Sequence, residues 1–198
     1  IASEAGGSAA RPGEVPTTGG GSAPAEPGVD KRLLLLGVGG IVLLLDFLTK
    51  QWVVGALTMH YPQPIIGEFL RFTYTHNPGA AFGINIGEHS RLFFLALSVV
   101  ALLVLGWMYR ATPRRDLLRL TALALVCGGA VGNIVDRLRY EAGVVDFIDV
   151  GLGGYRFWIF NVADSAVTVG AVLLLISFYL EERRERRGED ARAARPGS

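Results

Sequence analysis

Two carboxylates, Asp146 and Asp164, stand on either side of a short aromatic segment, YRFWIF at 155–160. Asp164 opens an apolar run, 162–180, that is long enough to cross a bilayer. An ionised carboxylate at such a place is costly and marks a functional site by default. Two carboxyl groups that face each other cannot both ionise easily, so one keeps a proton while the other serves as base. That pairing suits shared-proton acid–base chemistry.

Other polar residues gather around these two in unusual settings. The pattern Asn-x-x-Asp occurs twice, as Asn133 with Asp136 and as Asn161 with Asp164. Positions three apart share a helix face, so each Asn can orient its neighbouring carboxylate. Asn161 and Asp164 equally suit the capping of a helix start. Arg137 can pair with Asp136 or reach membrane phosphates. Asp46 and Lys50, four apart, share a helix face and can pair. Asn77, Pro78 and Gly79 mark a tight turn. Spacing alone leaves Asp136 and Asp146 both open as the partner of Asp164. His60, His76 and His89 are too scattered for a metal site. Cys127, the single cysteine, reads as a small packing residue. Ser90 and Ser165 lack the G-x-S-x-G setting of a serine hydrolase.

The elements that must hold these residues are read from hydropathy. The chain has 198 residues, of which 51% are hydrophobic and clustered in runs, as in a membrane protein. Spans are expected at about 33–54, 92–109, 117–135 and 162–180. A cleaved signal peptide is the rival reading of the first, disfavoured because no small-x-small site follows it. The fold class is therefore all-α membrane, with four transmembrane helices and a small extracytoplasmic β element. Residues 56–89 and 137–160 are expected as outer loops, and IIGEFLRFTY at 65–74 as strand in a sheet lying on the outer membrane surface. Residues 1–30, rich in Gly, Ala, Pro and Ser, read as a disordered cytoplasmic tail. Residues 31–182 form the membrane domain and 183–198 a charged cytoplasmic tail. Lys31 and Arg32, the cluster at 110–115 and the arginines at 183–187 lie on one side of four spans, which puts both termini in the cytoplasm. The arginine-rich tail is a topology signal, and no nucleic-acid partner is expected. With that orientation every unusual polar residue falls at the outer end of its span.

Five motifs occur in order: Asp46 with Lys50 as D-x-x-x-K, NPGAAFG at 77–83, GNIVDR at 132–137, VVDFID at 144–149 and FNVADS at 160–165. This set resembles the bacterial lipoprotein signal peptidases, signal peptidase II, the aspartyl peptidase family A8. The resemblance covers about 33–180. It implies a multi-pass enzyme of the bacterial inner membrane whose site lies at the extracytoplasmic face. It implies an aspartic endopeptidase acting on diacylglyceryl-modified prolipoproteins, cleaving on the amino side of the lipidated cysteine. It also selects Asp146 and Asp164 as the dyad. Asn77, Gly79, Asn133, Asp136, Arg137 and Asn161 become supporting or substrate-positioning residues, with Asp46 and Lys50 as a buttress. No metal and no organic cofactor are expected; the partners are the prolipoprotein and membrane lipids, and the enzyme is expected as a monomer. Two other classes fit the composition: a four-span proton-coupled transporter, against which the polar residues gather at one face, and a non-enzymatic scaffold, for which Asp→Asn changes would be silent.

Overall fold

A computed structural model describes residues 28–79 and 87–193. The expected tail before residue 28, the motif positions 80–83 and the last five residues lie outside them. Among the described residues, four helices are long and apolar enough to cross a membrane. They are α1 (Lys31–Ala56), α2 (Ser90–Ala111), α3 (Leu117–Arg139) and α4 (Val162–Ala193). Each exceeds the span expected for it, because hydropathy marks the apolar middle while polar caps extend the ends. Asp30 accepts the Arg32 and Leu33 amides of α1, and Asp116 accepts the Arg119 amide of α3. The greatest extension is in α4. Its 32 residues rise about 48 Å, well beyond a ~30 Å hydrocarbon core, so the arginine-rich segment continues the helix to Ala193.

Large apolar side chains cover the outside of the bundle, among them Leu44, Leu103, Trp107 and Leu175. In water such a surface would be an aggregation hazard; facing acyl chains it is the expected exterior. Helix α3 is the central element and the most buried of the four. It is approached closely on two sides because it is glycine-rich there. A Cβ on Gly128 would stand 2.7 Å from the Gly39 carbonyl of α1, and one on Gly129 would strike the Ala163 carbonyl of α4. Helix α1 carries a π-helical turn at Leu35–Gly39, ending at this contact. At the same end of α1, Lys31 Nζ donates to the Tyr109 and Arg110 carbonyls that close α2, and the Tyr109 hydroxyl returns a bond to the Lys31 carbonyl.

A four-stranded antiparallel sheet caps the other end, in the order β1 (Gln63–Ile66), β2 (Leu70–Asn77), β3 (Val144–Leu152) and β4 (Tyr155–Arg156). The strand content expected at 65–74 falls in a hairpin of β1 and β2 that turns at Gly67, with φ of 48°. The segment expected as outer loop supplies β3, the partner of β2. Two spans separate these strands in sequence, so nothing local announces their pairing. Val145 and Phe147 join Val53 of α1 and Tyr74 of β2 in a core that seats the sheet on the bundle. Alternation then turns Val144 and Asp146 to the other face, into a cavity.

Gly143 opens β3 with φ of 101°, and a Cβ there would strike the Asn77 carbonyl. Gly143→Ala should therefore lose about 1–3 kcal/mol of stability from backbone strain and forced separation of β2 from β3. Thermal unfolding in detergent checks this; an unchanged midpoint would show that the strand ends tolerate a side chain.

Candidate active site

The site begins with the first turn of α4. Helix starts leave amide N–H groups without partners. Asn161 caps this one: its Oδ1 accepts the Asp164 amide at 2.8 Å, while Asp164 Oδ2 accepts the Asn161 amide at 3.3 Å. This is a reciprocal capping box built from Asn and Asp. A third amide, from Ala163, goes to Asp46 Oδ1 of α1 at 2.9 Å. Capping and site-building are thus one arrangement here, where the sequence offered them as alternatives. Fixing the cap leaves the Asn161 NH2 group free to donate to Asp146 Oδ1 at 2.7 Å, to Asn133 Oδ1 and to the Val145 carbonyl.

Lys50 organises the next layer. Its Nζ is fully buried and meets Asp46 Oδ2 at 2.8 Å, Asp136 Oδ2 at 2.9 Å and Asn133 Oδ1 at 3.1 Å. These three acceptors match the three ammonium donors. Because an ammonium only donates, the Asn133 oxygen must face it. The Asn133 NH2 group then donates to Asp164 Oδ1 at 2.8 Å. The local Asn-x-x-Asp expectation fails for this residue: Asn133 serves a carboxylate on another helix. Asp136 turns instead to Lys50 and to the Val145 amide, anchoring β3 to α3. Gly132 makes room, since a Cβ there would stand 2.5 Å from Asp46 Oδ2.

Asn77 completes the set from β2. Thr75 pairs with Asp146 and Asn77 with Val144, so Asn77 lies diagonally across from Asp146. Its Oδ1 accepts the Gly79 amide at 3.0 Å, and its Nδ2 donates to Asp146 Oδ2 at 3.1 Å. On the far side of β3, the Phe160 backbone exchanges hydrogen bonds with Ile148, which carries the start of α4 to Asp146. Asp146 and Asp164 both line a cavity of about 320 Å³, walled by Phe157, Trp158, Phe160 and Val169. Burial, and after it the charge of Asp164, push the Asp146 carboxyl up to about 7; bonds from Asn77 and Asn161 and the charge of Lys50 pull the other way. Such a pair retains a proton near neutrality.

Arg137 departs from both expectations for it. It neither pairs with Asp136 nor snorkels, but is buried, donating to the Gly79 carbonyl at 2.9 Å and the Asn133 carbonyl at 3.3 Å. Its Nε has no hydrogen-bond partner among the described residues. The structure thus brings together Asp146, Asp164, Asn77, Gly79, Asn133, Asp136, Arg137, Asn161, Asp46 and Lys50. Among the described residues no group of three His, Cys, Asp or Glu side chains is placed to hold a metal ion. Sequence reasoning missed a second cluster. Asp149 is buried beneath Thr73 Oγ1 at 2.8 Å and Arg156 Nε at 2.7 Å, and it braces the sheet beside Asp146. Burial raises its carboxyl, but the bonds from Arg156 and Thr73 and the charges of Arg156 and Arg71 outweigh that and hold it below the usual range. The available signal is the β-branched and aromatic content of VVDFIDV, which suits a strand.

Lys50→Met should cost about 3–5 kcal/mol, because it leaves Asp46 and Asp136 buried without their cation. Arg186→Ala, which breaks an exposed i,i+4 pair with Glu182, should change stability by less than about 0.5 kcal/mol. Denaturation of the two variants side by side tests the contrast; equal effects would show that Lys50 is not needed for folding.

The comparisons with known proteins agree on one family. The family model for signal peptidase (SPase) II, Peptidase_A8, matches residues 38–180. The lipoprotein signal peptidase of Syntrophotalea carbinolica is 42% identical over 147 residues, covering 74% of this chain and 90% of that protein. That of Alteromonas mediterranea is 34% identical over 170 residues, covering 84% and 92%. A solved structure described as a bacterial membrane enzyme at 2.3 Å resolution superposes with a TM-score of 0.67 at 29% identity, covering 83% of this chain and 93% of that one. The matched span takes in α2 and α3 whole and most of α1 and α4, with every residue of the lysine hub and both cavity carboxylates inside it, and the chain belongs to the signal peptidase II family of aspartic peptidases.

Proposed function

We infer that Asp146 and Asp164 are the catalytic dyad of this membrane peptidase, sharing one proton and activating one water for attack on a peptide bond. The observation that carries this reading is that both carboxylates line one cavity, where amide donors from Asn77, Asn133 and Asn161 fix both of them. The ionised member takes a proton from water as the water oxygen bonds to the carbonyl carbon. The protonated member gives its proton to the carbonyl oxygen. Collapse of the tetrahedral intermediate breaks the carbon–nitrogen bond, and the amine leaves with a proton from the dyad. Acid–base assistance of this kind typically contributes about 10²–10⁴-fold. Arg137 lines the same cavity and holds the Gly79 and Asn133 carbonyls at its edge. The scheme uses no metal.

The substrate on this reading is a prolipoprotein whose lipobox cysteine carries diacylglycerol, cut on the amino side of that cysteine. The apolar walls of the cavity, Phe157, Trp158, Phe160 and Val169, suit an acyl chain and a signal segment arriving from the bilayer. The basic clusters at 31–32, 110–115 and 183–187 support cytoplasmic termini, with the sheet and the dyad at the extracytoplasmic face.

Asp146→Asn and Asp164→Asn should each abolish cleavage of a lipidated precursor, and full turnover by either purified variant would remove that residue from the dyad. The pH dependence follows from the Asp146 carboxyl. Its pKa is raised from 3.8 to about 7, so the dyad loses its last proton, and turnover declines, as pH rises through about 7. For stability the sign is the same. The native state holds this proton more tightly than the unfolded chain, a contribution complete below about 4 and lost as pH rises through about 7. The melting temperature of Asp146→Asn relative to wild type should therefore increase between pH 5 and pH 8. A difference that is flat with pH would contradict the assigned shift.

A further inference from the structure

A second cavity, of about 460 Å³, lies on the other side of the aromatic segment 157–159. The two hollows share that segment together with Asn77 and Asp146, so Asp146 stands at their junction. Their linings differ in kind. The first contains both carboxylates and continues along α4 past Ser165, Thr168 and Val169. The second turns onto the sheet and is walled by Thr75, His76, Pro78, Asp149 and Arg156.

A peptide cut at its middle must extend from the reacting bond in two directions. The apolar hollow along α4 takes the acylated, membrane-borne side. We propose that the hollow over the sheet is a binding subsite for the polar polypeptide that follows the lipidated cysteine, with Arg156 as its specificity-determining residue. This rests on the peptidase reading and assigns the residues that meet the mature end of the substrate. The hollow, of about 460 Å³, has room for a short extended stretch, on the order of three residues. His76 is already committed, its Nε2 to the Tyr74 hydroxyl and its Nδ1 to the Gly143 carbonyl. Asp149 is buried under its own donors. Arg156 is different. Its side chain is 28% exposed, and three of its N–H groups bind Asp149 Oδ1, the Asp149 carbonyl and the Glu68 carbonyl. A guanidinium carries five N–H donors, which leaves two to meet a backbone carbonyl or an acidic side chain. Asp149 is buried beneath it, so the charged group that a passing chain reaches there is the guanidinium.

The test uses the full-length enzyme in detergent and diacylglyceryl-modified peptides with one fixed signal segment. One series ends at the lipidated cysteine or continues by one to five residues. A second series places Asp, Asn or Lys at the third residue after the cysteine. The kcat/KM should rise about tenfold as the chain grows to three residues and then level off, since remote contacts lower the barrier of the reacting bond. Wild type should prefer Asp over Lys by about fivefold, a ratio that Arg156→Glu inverts and Arg156→Gln brings near one. Each ratio is taken within one variant, so a general loss of turnover does not affect it. The wild-type length series decides the matter even if neither Arg156 variant folds. Rates independent of both length and charge would overturn the subsite while leaving the peptidase reading in place. Failure of wild type to cut any of these peptides would remove both.

Discussion

The arrangement depends on the orientation of three amides. A side-chain amide has one accepting and one donating end, and a carboxylate tolerates only the donating end. The oxygens of Asn77, Asn133 and Asn161 are each pinned by a group that can only donate: the Gly79 amide, the Lys50 ammonium and the Asp164 amide. All three NH2 groups are therefore turned toward Asp146 or Asp164. A reversal of any one would set oxygen against oxygen in a buried place, where an unmatched polar group is costly.

The pins come from different parts of the chain. Lys50 belongs to α1, Asn133 to α3, the Asp164 amide to α4 and the Gly79 amide to the turn after β2. Close approach of the helices at Gly128, Gly129 and Gly132 brings these groups within bonding distance. Asp136 then ties the sheet to the same hub by accepting the Val145 amide. Packing and polar chemistry are therefore not separable here. The small residues on α3 add little apolar contact of their own, but they fix the separation at which one lysine reaches two carboxylates and an amide at once.

What could be read beforehand follows the range of each interaction. The four spans were legible because a bilayer demands an uninterrupted apolar run. The Asp46–Lys50 pair was legible because four residues is one turn of helix. The turn at Asn77 was legible from Pro78 and Gly79. The pairing of strand β3 is not, because its partner lies beyond two spans and 137–160 reads as an outer loop. Asn133 was assigned to the nearest carboxylate, Asp136, because sequence displays neighbours along a helix and not across a bundle. Arg137 was expected at an aqueous edge, as long cations usually are; the carbonyls of Gly79 and Asn133 that receive it become visible only when the fold places them together. Spacing left Asp136 and Asp146 equal, and their separation came from the family motif.

The capping box at Asn161 has a consequence for biosynthesis. The polar hub draws on α1, on α3 and finally on the first turn of α4, the last of these four helices to leave the ribosome. Until that turn is wound, Asp164 has no fixed position and Asn161 nothing to hold its amide in place. Nascent chains that carry only three helices thus contain most of the polar residues but no assembled centre. The polar centre is assembled when the first turn of α4 winds and not gradually with chain length.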